Sequence, residues 1–519
     1  MSGHLLLALP IAIPLLTLAI CAALWKHGLA QRLTSLAGSL LLLAAAIVLL
    51  TAVYDGRVLA TDLGSWRAPF GITLVADLFS AAMVVITGIM ALAVSVYGLV
   101  DGARQREQAF YHPLYHGLLL GVVGSFMTGD LFNLYVWFEV MLISSFGLLV
   151  VSGSREQLDA GVKYVTLNLV ATTLFLISVA FLYGATGTLN MADLARSLPQ
   201  LSNQGLVTTL AIFLLIAFAS KAALFPLFFW LPASYHTASA PVVAIFAALL
   251  TKVGVYAIIR VFTLLFPGNA GYTGPIIGVV AALTMVTGVL GAASHFDIRR
   301  ILSFHIISQI GYMLIGVAIA TPLALAGSIL YVLHHIVVKA NLFLIAGAVR
   351  LAGGSFDLRR IGGLHRSAPV LAILFLIPAM SLAGLPPLSG FWAKFIVIKS
   401  SLDEGHVVLA ATALIVGLLT LYSMVKIWNE AFWKAPVEAP DESAGHWNAS
   451  SATRLTMLGP IAVLAAITLT IGIATEPFVD FSIRAANQLL NPQAYIEAVL
   501  DGSAQGNANP NARTMEVSP

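Results

Sequence analysis

The chain has 519 residues, of which 59% are hydrophobic and only 9% are charged, and its mean hydropathy is +0.94. A soluble domain could not hide that much apolar surface, so the composition excludes a soluble protein and predicts lipid around most of the chain. The formal net charge of +3 comes without a basic cluster outside the membrane loops, which argues against a nucleic-acid partner. The single cysteine, Cys21, excludes an intrachain disulfide.

Apolar runs of about 20 residues recur from Leu5 to Pro477 and predict an all-α polytopic membrane protein with about fourteen transmembrane helices. Long uninterrupted runs, in place of short alternating segments, exclude a transmembrane β-barrel. The predicted helices are 4–25, 33–53, 73–100, 113–129, 131–151, 162–184, 206–231, 241–265, 275–294, 298–319, 323–349, 369–398, 408–432 and 456–475.

Three polar segments interrupt or follow these helices. Residues 55–71 are too polar to span a membrane and predict a small external hairpin or loop. Residues 434–454, with proline, serine and acidic residues, predict a cytoplasmic linker before the last helix. Residues 501–519 are poor in apolar side chains, which predicts disorder.

The distribution of basic residues predicts the orientation. Fourteen of the 26 Lys and Arg residues lie in one set of alternate loops, and six lie on the opposite side. Because cytoplasmic loops carry the excess of cations, both termini are expected outside. No basic residue precedes the first apolar run at Leu5, which argues for a retained helix over a cleaved signal peptide.

Two predicted helices, the seventh and the twelfth, contain proline where a helix should continue. The prolines that predict these helix breaks are Pro226 and Pro232 in the first, and Pro386 and Pro387 in the second. Proline removes backbone hydrogen bonds, which a membrane tolerates only where protein or a polar cavity replaces them. A matched pair of interrupted helices, each near a lysine, suggests two structural repeats. Ordinary proline kinks are the alternative.

Ionisable side chains lie at predicted membrane depth. They are Glu139, Lys221, Lys252, His334, His335, Lys339, Lys394 and Lys426. One charged side chain at the bilayer centre costs about 2.5–3.5 kcal/mol, so each of these residues needs a partner, water or a role. Lys252 lies midway along its helix and cannot reach the interface cheaply.

These residues can form a path for protons. Burial disfavours the charged form of lysine and of glutamate, and closeness of the two residues restores both charges. A buried lysine therefore holds its proton beside a glutamate and tends to release it when the pair is broken. A chain of strongly and weakly paired residues can thus pass protons along. His335 and Lys339 are four residues apart and share one helix face. Sodium prefers several oxygen ligands, whereas the deep acid here is essentially Glu139 alone. The pattern therefore favours conduction of protons over binding of sodium.

Structural roles compete with this interpretation at several positions. Glu139 could be a static partner of one lysine, and His334 could be a neutral packing histidine. Arg260 lies near a helix end, so its side chain is expected to extend to the membrane interface (snorkelling). Lys426 is expected either to do the same or to take part in the relay. Asp77 either marks only the outer mouth of the third helix or belongs to the relay.

Other chemistry has no signature in the sequence. There is no nucleotide-binding loop, no haem or metal motif and no dinucleotide turn, so we expect no cofactor, no metal site and no enzymatic activity of the chain's own.

Six motifs together resemble the antiporter-like membrane subunits shared by respiratory complex I, membrane-bound hydrogenases and Mrp-type Na+/H+ antiporters. The motifs are "WFEV", "KAALFPLFFWLP", "LLTKVGVYAIIR", "SFHIISQIGYMLIG", "HHIVVKANLFLIAG" and "GLPPLSGFWAKF". The resemblance covers nearly all of the chain to about Phe478, and the segments around Lys252 and His335 are most similar to the D-type member of the Mrp group.

The resemblance implies a fold and a relay. It implies fourteen helices with inverted five-helix repeats at 113–265 and 275–432 and breaks in helices 7 and 12. Residues 1–112 would form helices 1–3, residues 433–478 the linker and helix 14, and residues 479–519 an external tail. By motif position Glu139 matches the acidic partner of Lys221. Lys252 and His335 match the relay residues of the family's eighth and eleventh helices, and Lys394 matches the lysine at the end of the relay on the twelfth helix.

Two positions depart from complex I relatives. Phe228 replaces a histidine before "WLP", and Tyr331 replaces an extra histidine found in some relatives. Both weaken a direct complex I assignment. They also imply that water or His236 serves the inner mouth of the path.

The resulting expectation is a proton-translocating subunit of a multi-subunit Na+/H+ antiporter, a secondary transporter in a bacterial cytoplasmic membrane. Its partners would be a larger A-type subunit, small membrane subunits, protons, Na+ and lipids. One alternative is a pumping subunit of a complex I-like or hydrogenase redox complex. Another is a passive scaffold whose buried charges only pair with one another.

Overall fold

The computed structural model of the protein describes residues 3–100, 110–435 and 451–501, and this part is almost entirely helical. We number the helices of eight or more residues in chain order. They are α1 (Gly3–Ala23), α2 (Gly28–Val53), α3 (Leu78–Gly98), α4 (Tyr111–Met127), α5 (Leu131–Leu149), α6 (Arg155–Thr186), α7 (Gln204–Ala222), α8 (Ala240–Leu264), α9 (Ala270–Ser294), α10 (Ile298–Ile319), α11 (Pro322–Gly353), α12 (Pro369–Ala383), α13 (Ser389–Asp403), α14 (Val407–Ile427), α15 (Ser451–Ile473), α16 (Thr475–Leu490) and α17 (Gln493–Leu500).

In the described part of the chain, twelve helices are long and apolar enough to cross a membrane. Helix α4, with 17 residues, lies at the lower limit for a span. The twelfth predicted span is divided into α12 and α13. The prediction of an all-α polytopic protein with about fourteen membrane helices is confirmed.

The polar segment before the third helix forms a hairpin, as predicted. Strand β1 (Leu59–Asp62) pairs antiparallel with β2 (Thr73–Ala76). The predicted helix start at residue 73 is therefore wrong, because an apolar run this short does not distinguish a strand from a helix. Helix α3 begins only after Asp77, whose side chain accepts a hydrogen bond from the Ser80 N–H at 2.8 Å.

The first break lies between α7 and a short helix at Trp230–Ser234. Helix α7 ends where Ala223 adopts a left-handed conformation, with φ of 60°. The Phe225 N–H then donates to Thr284 Oγ1 on α9 at 3.0 Å, so a backbone group freed by the break is satisfied by protein. Pro226 lies inside this break. Pro232 does not, because it lies in the first turn of the short helix, where an N–H would have no intrahelical partner.

The second break lies between α12 and α13 and contains Pro386 and Pro387. Helix α12 ends at Gly384, whose φ is +95°. The Gly390 N–H donates to Ser381 Oγ at 3.1 Å across the break. Breaks in the seventh and twelfth helices are thus confirmed, while the inverted relation of the two repeats and the domain boundaries stay predictions.

Helices α8, α10 and α11 form the centre of the bundle. In the most apolar stretch of each helix, 100%, 89% and 94% of the residues are buried, whereas in α1, α2 and α6 fewer than half are buried. An apolar helix can face either lipid or other helices, and these three are enclosed almost entirely by other helices. Side chains on α8 and α11 therefore lie as far from lipid and water as this fold allows.

Two helices beyond the last predicted span were missed. Helices α16 and α17 occupy the start of the predicted external tail and pack on the bundle, where Gln488 accepts from the Leu78 N–H at 3.0 Å and donates to the Gly56 carbonyl at 2.9 Å. Residues 436–450 of the predicted linker and the predicted disordered tail beyond residue 501 lie outside the described residues.

Candidate functional site

The first break places Lys221 in the last turn of α7, almost wholly buried. Its ammonium donates to Asn168 Oδ1 on α6 at 3.3 Å and lies 5.7 Å from the centre of the Phe138 ring. Glu139, the next residue on α5, is half-buried and acts electrostatically on Lys221. Within the described residues, however, Glu139 forms neither a hydrogen bond nor an ion pair. The predicted partners are neighbours here, without direct contact.

Lys252 and Lys339 lie at the centre of the bundle, on α8 and α11, and both are 0% exposed. The Lys252 ammonium donates to the Ala247 carbonyl, and the Lys339 ammonium donates to the Leu302 carbonyl at 3.1 Å. His335, one turn before Lys339, interacts electrostatically with both lysines. These three predicted residues are brought together, although the spacing on α11 indicates only the closeness of His335 and Lys339.

His305 on α10 joins this central group, although its type and spacing in the sequence provide no reason to assign it. Its ring is fully buried and interacts electrostatically with Lys339 and Lys394. Neither ring nitrogen of His305 nor of His335 has a hydrogen-bond partner among the described residues. The only sequence signal for His305 is its place in the motif "SFHIISQIGYMLIG".

The second break places Lys394 at the carboxyl end of α12. Its ammonium donates to the carbonyls of Leu382 and Ala383, each at 3.0 Å, and lies 5.0 Å from the centre of the Tyr312 ring. The last carbonyls of a helix lack intrahelical partners and carry a partial negative charge, so this site stabilises a cation. Each break thus ends a helix beside a buried lysine.

His334 connects α11 to the second break. Its Nδ1 lies 3.0 Å from Ser389 Oγ, which in turn lies 2.9 Å from Ser381 Oγ. His334 also interacts electrostatically with Lys394. The ring therefore has a hydrogen-bonded place in the protein, as a packing histidine would, and that place is next to the terminal lysine.

Lys394 also borders an apolar groove of about 730 Å³ between α13 and α14. Pro386 and Phe391 line this groove, as do Lys399 and Asp403, which form an exposed ion pair. The groove joins the neighbourhood of the terminal lysine to the surface of the chain.

Comparison with known proteins then decides the family. The family described as "NADH:quinone oxidoreductase/Mrp antiporter, TM" matches residues 128–420, which include both breaks and the buried lysines Lys221, Lys252, Lys339 and Lys394. The chain belongs to this family. Among its relatives, the D subunit of a Na(+)/H(+) antiporter from Alkalihalophilus pseudofirmus is 46% identical over 95% of this chain and 99% of its own length. The protein of the same name from Bacillus subtilis is 41% identical over 95% of this chain and 98% of its own length.

Two solved structures share the fold along the whole chain. A chain of the Mrp complex from Dietzia sp. DQ12-45-1b superposes with a TM-score of 0.88 at 35% identity, covering 96% of this chain and 100% of its own. A chain of an archaeal membrane-bound sulfane sulfur reductase superposes with a TM-score of 0.87 at 26% identity, covering 95% of this chain and 99% of its own.

The two positions expected to differ from complex I relatives, Phe228 and Tyr331, carry aromatic rings. Phe228 is buried and stacks on Phe229 with the ring centres 4.6 Å apart. Tyr331 stacks on Tyr312 at 5.1 Å, and its hydroxyl donates to Gln309 Oε1. Neither can take up a proton near neutral pH as a histidine could.

Asp77 belongs to a separate cluster. Its carboxylate caps α3 and forms an ion pair with Arg260 at 2.5 Å, and the two side chains are only 2% and 6% exposed. The snorkelling predicted for Arg260 is therefore wrong, because the arginine pairs with a buried acid and does not extend to the interface. The sequence could not show this pair, since α3 and α8 are far apart along the chain.

Lys426 also has a structural place. Its ammonium donates to the carbonyls of Ala293 and His295 at 3.0 and 2.7 Å and lies 3.9 Å from the centre of the Phe296 ring. The lysine thus caps the carboxyl end of α9, where a cation is favourable.

His236 follows the short helix of the first break and lines a polar cleft of about 910 Å³. Its Nδ1–H donates to the Pro232 carbonyl at 3.0 Å, and its Nε2 accepts from Arg300 at 3.2 Å. Burial lowers the pKa of His236, and the neighbouring Arg300 lowers this pKa further. The imidazole is therefore held neutral at the edge of a cleft that reaches the first break.

Proposed function

We propose that the chain is the proton-translocating subunit of a multi-subunit Na+/H+ antiporter and that protons move along its buried side chains. The relay runs from Glu139 and Lys221 through Lys252, His335 and Lys339 to Lys394. The observation that carries this proposal is the row of buried amines and imidazoles that joins the two helix breaks through α8 and α11. Inward protons would drive Na+ export, with no redox or hydrolytic chemistry in this chain.

Orphaned polar atoms on α8, α10 and α11, the helices that carry the central residues of the row, support the passage of protons. The ring nitrogens of His305 and His335, the hydroxyl of Thr251 and both amide atoms of Asn341 are buried and have no protein partner among the described residues. Buried polar groups normally have a partner, and where protein supplies none, internal water does. Water between such groups is the medium through which a proton passes from one titratable side chain to the next.

The same residues disfavour sodium as the cargo of this row. Lysines repel a cation, and imidazoles offer nitrogen where Na+ prefers oxygen ligands. We therefore assign protons to this chain and place it with a larger A-type subunit and small membrane subunits. The complex would lie in a bacterial cytoplasmic membrane with both termini of this chain outside.

A pumping subunit of a redox complex is the second candidate, supported by the likeness to the sulfane sulfur reductase chain. The antiporter is better supported, because full-length relatives at 41–46% identity are named as D subunits of Na(+)/H(+) antiporters, whereas the reductase chain is 26% identical.

The test replaces Glu139, Lys221 and Lys394 by alanine, one at a time, in the intact complex. Na+-dependent dissipation of a pH gradient in everted vesicles measures antiport, and blue-native gels measure assembly. We expect antiport to be lost while the complex still assembles, with exposed Lys26→Ala as the matched control at full activity. Full antiport in all three variants would exclude the relay and favour a passive scaffold.

A further inference from the structure

We propose that protons reach Lys221 from the polar cleft along the inward face of α6, and that Asn168 holds the Lys221 ammonium at the inner end of this route, away from Glu139. This inference rests on the proposed function, and it concerns the step before the relay. It assigns a route along α6 and a positioning residue, Asn168, whereas the motifs of the chain indicate only water or His236 at the inner mouth.

The inward face of α6 leads from the cleft to the lysine. Ala160 lines the cleft, and Tyr164 and Asn168 follow at intervals of four residues, all three buried. Residues four apart lie on one face of a helix, and the eight residues from Ala160 to Asn168 rise roughly 12 Å. At the end of this distance Asn168 Oδ1 accepts the hydrogen bond from Lys221 Nζ.

The orientation of Asn168 is fixed by its other hydrogen bond. Its Nδ2 donates to the Tyr164 carbonyl at 2.9 Å, so Oδ1 is the atom left to face the ammonium. No other residue in the described part of the chain accepts a hydrogen bond from Lys221. A neutral oxygen therefore holds the lysine in this structure, although the carboxylate of Glu139 is near enough to act on its charge.

Hydroxyl groups occupy the interval between the cleft and Asn168. The Tyr164 hydroxyl lies 2.6 Å from Ser145 Oγ, and the hydroxyl of Tyr235 is buried without a partner among the described residues. The Trp230 ring packs between the two tyrosines, with its centre 5.5 Å from Tyr164 and 5.9 Å from Tyr235. His236, adjacent to Tyr235, lines the cleft. Two tyrosines and one serine therefore lie near the proposed route, in contact with the Trp230 ring or with one another.

The polar nature of the cleft suits it to collect protons. Its lining includes the acidic residues Glu156 and Asp159 beside the basic Arg299 and Arg300. Water occupies such a surface, whereas the outward face of α6, with Val162, Leu167 and Val170 exposed, is apolar. The inward face is thus the polar side of this helix.

The first experiment replaces Asn168 by leucine, which has a similar shape and no acceptor. We expect the maximal antiport rate per assembled complex to fall about tenfold or more, since a hydrogen bond to a charged group is lost. The apparent KM for Na+ should not change, because Na+ does not use this route; general misfolding would instead lower assembly. Ser178→Ala is the matched control, because among the described residues this buried hydroxyl on the same helix bonds only to the Leu174 carbonyl.

A second experiment tests the route without depending on Asn168→Leu folding. In a Cys21→Ser background, which removes the single native cysteine, Ala160→Cys is treated with a membrane-impermeant methanethiosulfonate. We expect modification from the cytoplasmic side of everted vesicles to block antiport, while the deeper Ala171→Cys and the Cys21→Ser parent are unaffected.

The outcomes separate this inference from the proposed function. If Lys221→Ala is inactive, either of two results overturns the route. One is that Asn168→Leu keeps more than half of the antiport rate, and the other is that Ala160→Cys stays active after modification. Full antiport in Lys221→Ala removes Lys221 from the relay, and full antiport in Glu139→Ala and Lys394→Ala as well overturns the proposed function itself.

Discussion

The ion pair between Asp77 and Arg260 offers a test of whether every buried charge in this bundle belongs to the relay. One carboxylate oxygen of Asp77 lies 2.5 Å from the guanidinium, and the other accepts the Ser80 N–H at 2.8 Å. Arg260 also donates to the Tyr256 hydroxyl at 3.2 Å and lies 5.2 Å from the centre of the Tyr495 ring. The cluster joins the start of α3, the end of α8 and helix α17.

The structure sets the size of the effect for each substitution. Removing one member of a buried ion pair leaves the other charge unpaired and costs about 3–5 kcal/mol. Asp77→Asn keeps a side-chain oxygen for the cap and should cost this amount. Asp77→Ala also loses the cap and should cost about 1 kcal/mol more. The double variant Asp77→Asn with Arg260→Met removes both charges and should recover about 2 kcal/mol or more relative to Asp77→Asn.

Thermal stability of the purified complex, followed by fluorescence-detected size exclusion after heating, ranks the variants. We expect wild type first, then the double variant, then Asp77→Asn, then Asp77→Ala, with antiport per folded complex unchanged throughout. A double variant no more stable than Asp77→Asn would refute the reasoning from an unpaired charge. Loss of antiport in a thermally stable Asp77→Asn complex would assign Asp77 to the relay.

Three further substitutions, the first with a matched control, separate packing from conduction. In Gly254→Ala the new Cβ would lie 2.6 Å from the Ala222 backbone nitrogen, so we expect the complex to lose about 1–3 kcal/mol of stability and to lose antiport. The control is Gly184→Ala, whose new Cβ would have no atom within 4 Å and should change neither the heating assay nor the vesicle assay. Lys426→Met should lose about 1–2 kcal/mol of stability in the heating assay and keep its antiport, because the lysine caps a helix; equal stability would contradict this role. His335→Gln should melt as wild type yet lose about 100-fold or more of its antiport, and near-normal transport would remove this imidazole from the relay.

Much of the fold follows from the sequence because lipid imposes a simple rule. Every backbone group must be satisfied within its own segment, so length and hydropathy are enough to place most helices. The break at Pro386 and Pro387 could be predicted for the same reason. Pro232 was wrongly predicted to lie in the break, because the sequence alone does not show whether a proline starts a helix or interrupts one.

Contacts between distant segments are the part that the sequence could not provide. Asn168 has no unusual neighbours along α6, and its role depends on Lys221 reaching it from another helix. His305 likewise becomes a member of the site only because α10 packs beside α11. Chemical type made the lysines conspicuous in an apolar chain, whereas a buried amide or imidazole is conspicuous only once its neighbours are known.

The partners of the buried charges favour the proposed relay over a scaffold. Arg260 shows what a structural charge requires at this depth, since it pairs with a carboxylate and is enclosed by aromatic rings. Lys252 and Lys339 are equally buried, yet within the described residues neither forms an ion pair, and their ammonium groups reach only backbone carbonyls. A scaffold gains nothing from such lysines, because apolar side chains of the same volume would avoid the desolvation cost. Retaining a weakly held ammonium is useful where the amine must give up its proton and take another, which is the property a relay needs.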